Sequence, residues 1–182
     1  MNIMDQLYKR ISELKNPTVA GLDTRIEYLP ESFVNEIMPE GIKSFEDAAE
    51  AVYQYNVRLV DALYDIVPSV KVQVAYYEMY GAAGMVAFEK TMAYAKSKGM
   101  IVMADVKRND IGATAACYAN AYIGKTVRCL IDGESDDARY DLTARTPGNR
   151  LVRLTGDRAA IGQYRDVTIT GCNKWSLFGE LV

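Results

Sequence analysis

Two hydrophobic periods run along this chain, and one gives way to the other near residue 122. In the first stretch, NIMDQLYKRISELK carries Ile3, Leu7 and Ile11 at helical spacing. PTVAGLD then reads as a short buried strand ending at Asp23. SFEDAAEAVYQYNVRLVDALYDIV predicts a long helix, with Ser44 placed to cap it and Asp47 three residues later. SVKVQVAYY is the next strand, and MVAFEKTMAYAKSKG a helix that Gly99 stops. MIVMADVK is the third strand, and IGATAACYANAYIG is helical again. Strands separated by helices predict βαβ units and a parallel sheet.

From about Lys125 the pattern is different. KTVRCLID, ARYDLTAR, NRLVRLTG, QYRDVTIT and NKWSLFGELV are short segments rich in β-branched and aromatic residues. Turn signals such as DGESDD, TPGN and TGCN separate most of them, which reads as a small all-β barrel or sandwich. Composition shifts at the same place. All eight methionines and 11 of the 13 tyrosines lie in residues 1–122, where sixteen acidic residues outnumber twelve basic ones. Residues 123–182 hold nine basic residues, seven of them arginine, against eight acidic. We therefore expect two domains, residues 1–122 and 123–182.

The totals narrow the chemistry. At 182 residues, 49% apolar and 25% charged, the chain has the composition of an ordinary globular protein. A net charge of −3 gives no strong pull toward nucleic acid or anionic membrane. No apolar run approaches the ~20 residues of a membrane span. MNIMDQLYKR lacks the apolar core of a signal peptide, so a cytoplasmic protein is expected. Cys117, Cys129 and Cys172 have no C-x-x-C spacing and suit reduced thiols better than disulfides or zinc. Histidine is absent, which removes Ser-His-Asp and Cys-His nucleophiles, His-ligated metals and imidazole acid–base chemistry.

Charge gathers at ADVKRNDIGAT. Side chains two apart on a strand share a face, so Asp105 and Lys107 are expected to point the same way at the end of the third strand. Asp110 follows in the loop or first helical turn. Asp23 ends the first strand, and Lys71 interrupts an otherwise apolar second strand. Lysine rarely stays buried unpaired. Solvated strand ends with ordinary ion pairs are the alternative to a functional site here.

ADVKRNDIGAT resembles the D-x-K-x-x-D-I signature of orotidine 5′-monophosphate decarboxylases, with a threonine three residues on. VAGLD and SVKVQVAYYE are similar to that family's first two strands, in the wording of its subfamily 2, over roughly residues 1–124. The resemblance implies a (β/α) barrel of TIM type, here partial, with about three βα units. It also implies loss of CO2 from C6 of orotidine 5′-monophosphate to give UMP, a step of pyrimidine biosynthesis, with no metal or organic cofactor. By the same resemblance Lys107, Asp105 and Asp110 are catalytic, with Asp110 contributed across a homodimer interface. Asp23, Lys71, Ile111 and Thr114 bind substrate or complete the charge network. Such barrels typically need ~250 residues, with phosphate gripped after strands 7 and 8. The texture here changes after three strands, so impaired turnover is expected.

Residues 122–182, closing on SLFGELV, resemble the TRAM domain that ends the radical-SAM tRNA methylthiotransferases. The resemblance implies a small OB-like β-barrel that binds tRNA, with Arg145, Arg150, Arg153, Lys174 and Trp175 as candidate RNA contacts. The C-x3-C-x2-C cluster motif is absent, which excludes methylthiolation by this chain. YIGKT suits both resemblances and reads as the word at which a chimaera is joined. An RNA-binding module, or a chimaeric fragment with neither activity, is the alternative to an enzyme.

Overall fold

Three parallel strands, β1 (Val19–Leu22), β2 (Ser69–Gln73) and β3 (Ile101–Asp105), lie side by side with β2 in the middle. They belong to a computed structural model that describes residues 2–108, 110–173 and 175–182. The register sets Gly21, Lys71 and Met103 on one rung, and Gln73 opposite Asp105 two residues further along. With a period of two, Leu22, Val70 and Val72 share the other face, where all three are fully buried. Helices follow each strand, as the alternation predicts.

The helices are α1 (Ile3–Leu14), α2 (Glu31–Ile37), α3 (Phe45–Leu63), α4 (Ala75–Glu78) and α5 (Gly81–Ser97). Ser44 caps α3 by accepting from the Asp47 N–H, and the Asp47 carboxylate returns the bond to the Ser44 N–H. Small residues Ala48, Ala49 and Ala51 beside Val52 and Val60 form the buried face of α3, against which α5 packs. α5 stops at Ser97, and Gly99 just past its cap has a φ of +77° that suits glycine. Gly84 has a different reason: a Cβ there would stand 1.7 Å from the Tyr77 carbonyl oxygen. α1 buries no residue, and Ile3 on its apolar stripe is 57% exposed.

Three expectations need correction. SVKVQVAYY is not one strand, because β2 stops at Gln73 and α4 begins at Ala75. Helical bonds from Tyr77 and Glu78 to the Val74 carbonyl take over there. Lys107 lies past the end of β3 rather than on it. α2, and a 3-10 turn over Ile26–Tyr28, fall in a stretch where no element was expected.

The chain divides into two compact units, Met1–Lys107 and Arg108–Val182. The second contains α6 (Gly112–Asn120) and strands β4 (Thr126–Glu134), β5 (Leu142–Arg145), β6 (Leu151–Leu154), β7 (Tyr164–Cys172) and β8 (Leu177–Leu181). Each of the five all-β segments yields one strand, and together they close a barrel in the order β4-β5-β6-β8-β7. β8 inserts between β6, parallel to it, and β7, antiparallel to it. Cys129, Ile131, Leu142, Val152, Leu154, Val167, Ile169 and Leu177 fill the interior, and Ala119 of α6 joins them. No helix among the described residues is long and apolar enough to cross a membrane.

Candidate functional site

The three parallel strands and the residues just past them carry a charged cluster. Asp23 lies just past β1, Lys71 in the middle of β2, and Asp105 at the end of β3. Lys71 Nζ donates to Asp23 Oδ1 at 2.8 Å and Oδ2 at 3.1 Å, and stands 3.7 Å from Asp105 Oδ2. The Lys107 ammonium donates to both carboxylate oxygens of Asp105. Gln73 Nε2 donates to Asp105 Oδ2 at 3.0 Å. Two ammoniums and two carboxylates thus alternate along the rim as Asp23, Lys71, Asp105 and Lys107.

Exposure along this array is least at Asp105 and rises to either side, to 44% at Asp23. The Asp105 side chain is 13% exposed, Lys71 28% and Lys107 50%. The Lys107 ammonium, by hydrogen bond and charge, holds the Asp105 carboxyl below its ordinary value, assisted by Lys71 and opposed by partial burial. Asp105 is therefore a fixed anion, and Lys107 is the cation whose outer side faces solvent.

Behind the cluster runs a buried polar chain. Thr24 Oγ1 donates to Asn56 Oδ1 at 2.6 Å, and Asn56 Nδ2 donates to Tyr77 Oη at 2.7 Å. Tyr77 Oη donates to Thr91 Oγ1 at 3.4 Å, which donates to the Ala87 carbonyl at 2.8 Å. Burial pushes the Tyr77 phenol well above its ordinary pKa, so it stays neutral. This chain ties α3, α4 and α5 to the loop that carries Asp23.

Sequence reasoning missed Gln73. Its spacing two residues after Lys71 puts it on the same strand face, but only the register, which sets it opposite Asp105, gives it a role; it is 3% exposed. Asp110, Ile111 and Thr114 belong to the other unit. Asp110 Oδ1 accepts from the Ile111 N–H at 2.8 Å, the Ile111 side chain is 76% exposed, and Thr114 is half-buried in α6.

The second unit has its own concavity, a groove of about 560 Å3. Arg145, Arg150 and Trp175 lie on its wall. Arg153 is not part of it; its guanidinium bonds Ser135 Oγ at 2.9 Å and pairs with Asp136. Lys174 lies outside the described residues. No single loop of the sequence marks this groove, because its walls come from Arg108, Asp110 and Ile111 ahead of α6, from α6 itself, and from the β5–β6 and β7–β8 turns.

Comparisons with known proteins fall on both units. Residues 21–130 match the model of the orotidine 5′-phosphate decarboxylase / HUMPS family, and residues 120–182 that of the TRAM domain. The orotidine 5′-phosphate decarboxylase of Clostridium botulinum (strain Hall) is 43% identical over 120 residues, covering 66% of this chain and 39% of that protein. That of Clostridium novyi (strain NT) is 40% identical with the same coverage. Leishmania donovani OMP decarboxylase superposes with a TM-score of 0.43 at 25% identity, over 67% of this chain and 40% of that one. The chain spans 39% of the length of these curated relatives.

Proposed function

Because the chain belongs to the orotidine 5′-phosphate decarboxylase / HUMPS family, we propose that the Asp23–Lys71–Asp105–Lys107 array is the reacting end of a decarboxylase site for orotidine 5′-monophosphate. The observation that carries this reading is the convergence of side chains from three adjacent strands, and the residues just past them, on one alternating charge array. Exposed ion pairs contribute only ~0–1 kcal/mol each, so stability alone is a poor reason to gather four charges on one rim.

In this reading the bond from C6 of the pyrimidine to its carboxylate breaks, CO2 leaves, and the electron pair stays on C6. The Lys107 ammonium faces that developing charge and then gives a proton to C6, yielding UMP. Asp105 orients Lys107 and lies against the substrate carboxylate, while Lys71 is fixed by Asp23 and Asp105. Charges held in place before reaction need no reorganisation when charge develops, and this is often the main source of an enzyme's rate enhancement. Asp110 is assigned to the second subunit of a homodimer, and Ile111 and Thr114 to substrate contacts. No cofactor is invoked, and the setting is the cytoplasm.

Binding energy from remote substrate groups lowers the barrier at the reacting centre. With about three βα units in place of a full barrel, turnover should be low. The test is orotidine monophosphate decarboxylation by the full chain, followed by ultraviolet absorbance. We expect slow turnover that disappears in Lys107→Ala. Activity unchanged by that substitution, or none at all from cooperatively folded protein, overturns the reading.

A second reading concerns the C-terminal unit. Arg145, Arg150 and Trp175 line one groove, which favours a nucleic-acid-binding module; Arg153 and Lys174 are assigned to flanking backbone contacts. Overlap of the two family matches at residues 120–130 supports a division of ancestry at 122/123 and a chimaeric origin.

A further inference from the structure

Arg150 holds a charge that the protein does not answer. Its guanidinium carbon stands 5.7 Å from the ring centre of Tyr118 and 5.8 Å from that of Tyr122. Nη2 is buried without a hydrogen-bond partner, and no acid pairs with the group among the described residues. Four other arginines of the unit are matched: Arg139 with Asp137, Arg145 with Asp132, Arg153 with Asp136 and Arg158 with Glu134. Arg108, which also lines the groove, and Arg128 and Arg165 are exposed to water. Two aromatic faces hold a cation but do not neutralise it, and a half-buried charge without a counter-ion is costly.

The same groove presents a flat apolar surface. Trp175 is 78% exposed, and Asn173 Oδ1 accepts from the Trp175 and Ser176 N–H groups, both at 2.8 Å. An exposed indole at the mouth of a groove is a stacking platform for a nucleobase. A volume of about 560 Å3 falls within the range of small-ligand sites. The floor comes from Ala115 and Ala119 of α6, inside the decarboxylase match, while Arg150 and Trp175 lie inside the TRAM match. Neither segment alone supplies all the walls.

We propose that this groove takes one nucleotide, with the base stacked on Trp175 and the phosphate as the counter-ion of Arg150. The proposal rests on reading the C-terminal unit as a nucleic-acid-binding module. The nucleotide comes either free or as one unit of an RNA strand, and the chemistry at the groove is the same.

Trp175 is the single tryptophan of the chain, so its fluorescence reports this groove and nothing else. The full chain is titrated with UMP, AMP, uridine and a short oligouridylate. A phosphorylated ligand should quench Trp175 saturably, with uridine at least about tenfold weaker, as expected for loss of a charge-assisted contact. Arg150→Met should reduce the phosphorylated ligand to the level of uridine, and Arg150→Lys should restore part of the difference, which loss of folding would not. Quenching by UMP or AMP identifies a free nucleotide; quenching by oligouridylate alone identifies a strand. Equal binding of UMP and uridine, or no change in Trp175 with any ligand, overturns the proposal. If oligouridylate shifts the protein on a gel while Trp175 stays unchanged, the nucleic-acid reading stands and the groove assignment falls.

Discussion

Asp105 is the residue on which the charged rim turns. It receives Lys107, Gln73 and, at longer range, Lys71. Its folded-state pKa is depressed, so its contribution to stability is present above the unfolded value of about 3.9 and is lost as pH falls through the lower folded value. Asp105→Asn should therefore lower the unfolding midpoint of the first unit at neutral pH, and the gap to wild type should close on acidification below about pH 4. Midpoints measured across an acid series for both proteins check this; a gap that stays constant down to the acid limit refutes it. At this scale the sequence was informative where a residue broke its surroundings. Lys71 stood out because it interrupts an apolar strand. Gln73 did not, since its meaning comes from Asp105 on the neighbouring strand, a pairing that only the register supplies.

At the scale of elements, period and capping carried most of the reading. The alternating strands and helices, the Ser44–Asp47 box and the stop at Gly99 all rest on interactions within a few residues of sequence. The end of β2 does not. VAYY is apolar and aromatic and suits a strand or a buried helix equally, so local preference leaves the choice open. Packing decides it: Gly84 lets α5 approach the Tyr77 carbonyl so closely that no side chain fits. Gly84→Ala should cost about 1–3 kcal/mol, since overpacking forces the α4–α5 contact apart. Urea unfolding followed by circular dichroism measures it, and an unchanged midpoint would show that the contact yields freely. The groove was illegible for a related reason. Its walls are brought together from separate turns, and no periodicity links α6 to Arg150 or Trp175.

Over the whole molecule, two units carry separate interiors. One is the helix-covered side of the three-stranded sheet, the other the apolar core of the barrel. Trp175 reports the second only, whereas circular dichroism is dominated by the helices of the first. Gly179 is tightly enclosed in the barrel, where an added Cβ would stand 2.5 Å from Val167 Cγ1 and 2.9 Å from the Thr168 carbonyl oxygen. Gly179→Ala should lower the fluorescence-detected transition by about 1–3 kcal/mol and leave the circular-dichroism transition nearly in place. Coincident shifts in both probes would mean that the units unfold as one. The two textures of the sequence anticipated two architectures, but α6, helical by pattern and inside the decarboxylase match, lies in the compact unit of the barrel. The place of β8 between β6 and β7 also has a consequence for synthesis. Both neighbours emerge from the ribosome before it does, so β4 to β7 must wait as an open ribbon with two bare edges. That interval is when the nascent chain is most exposed to pairing with a stranger.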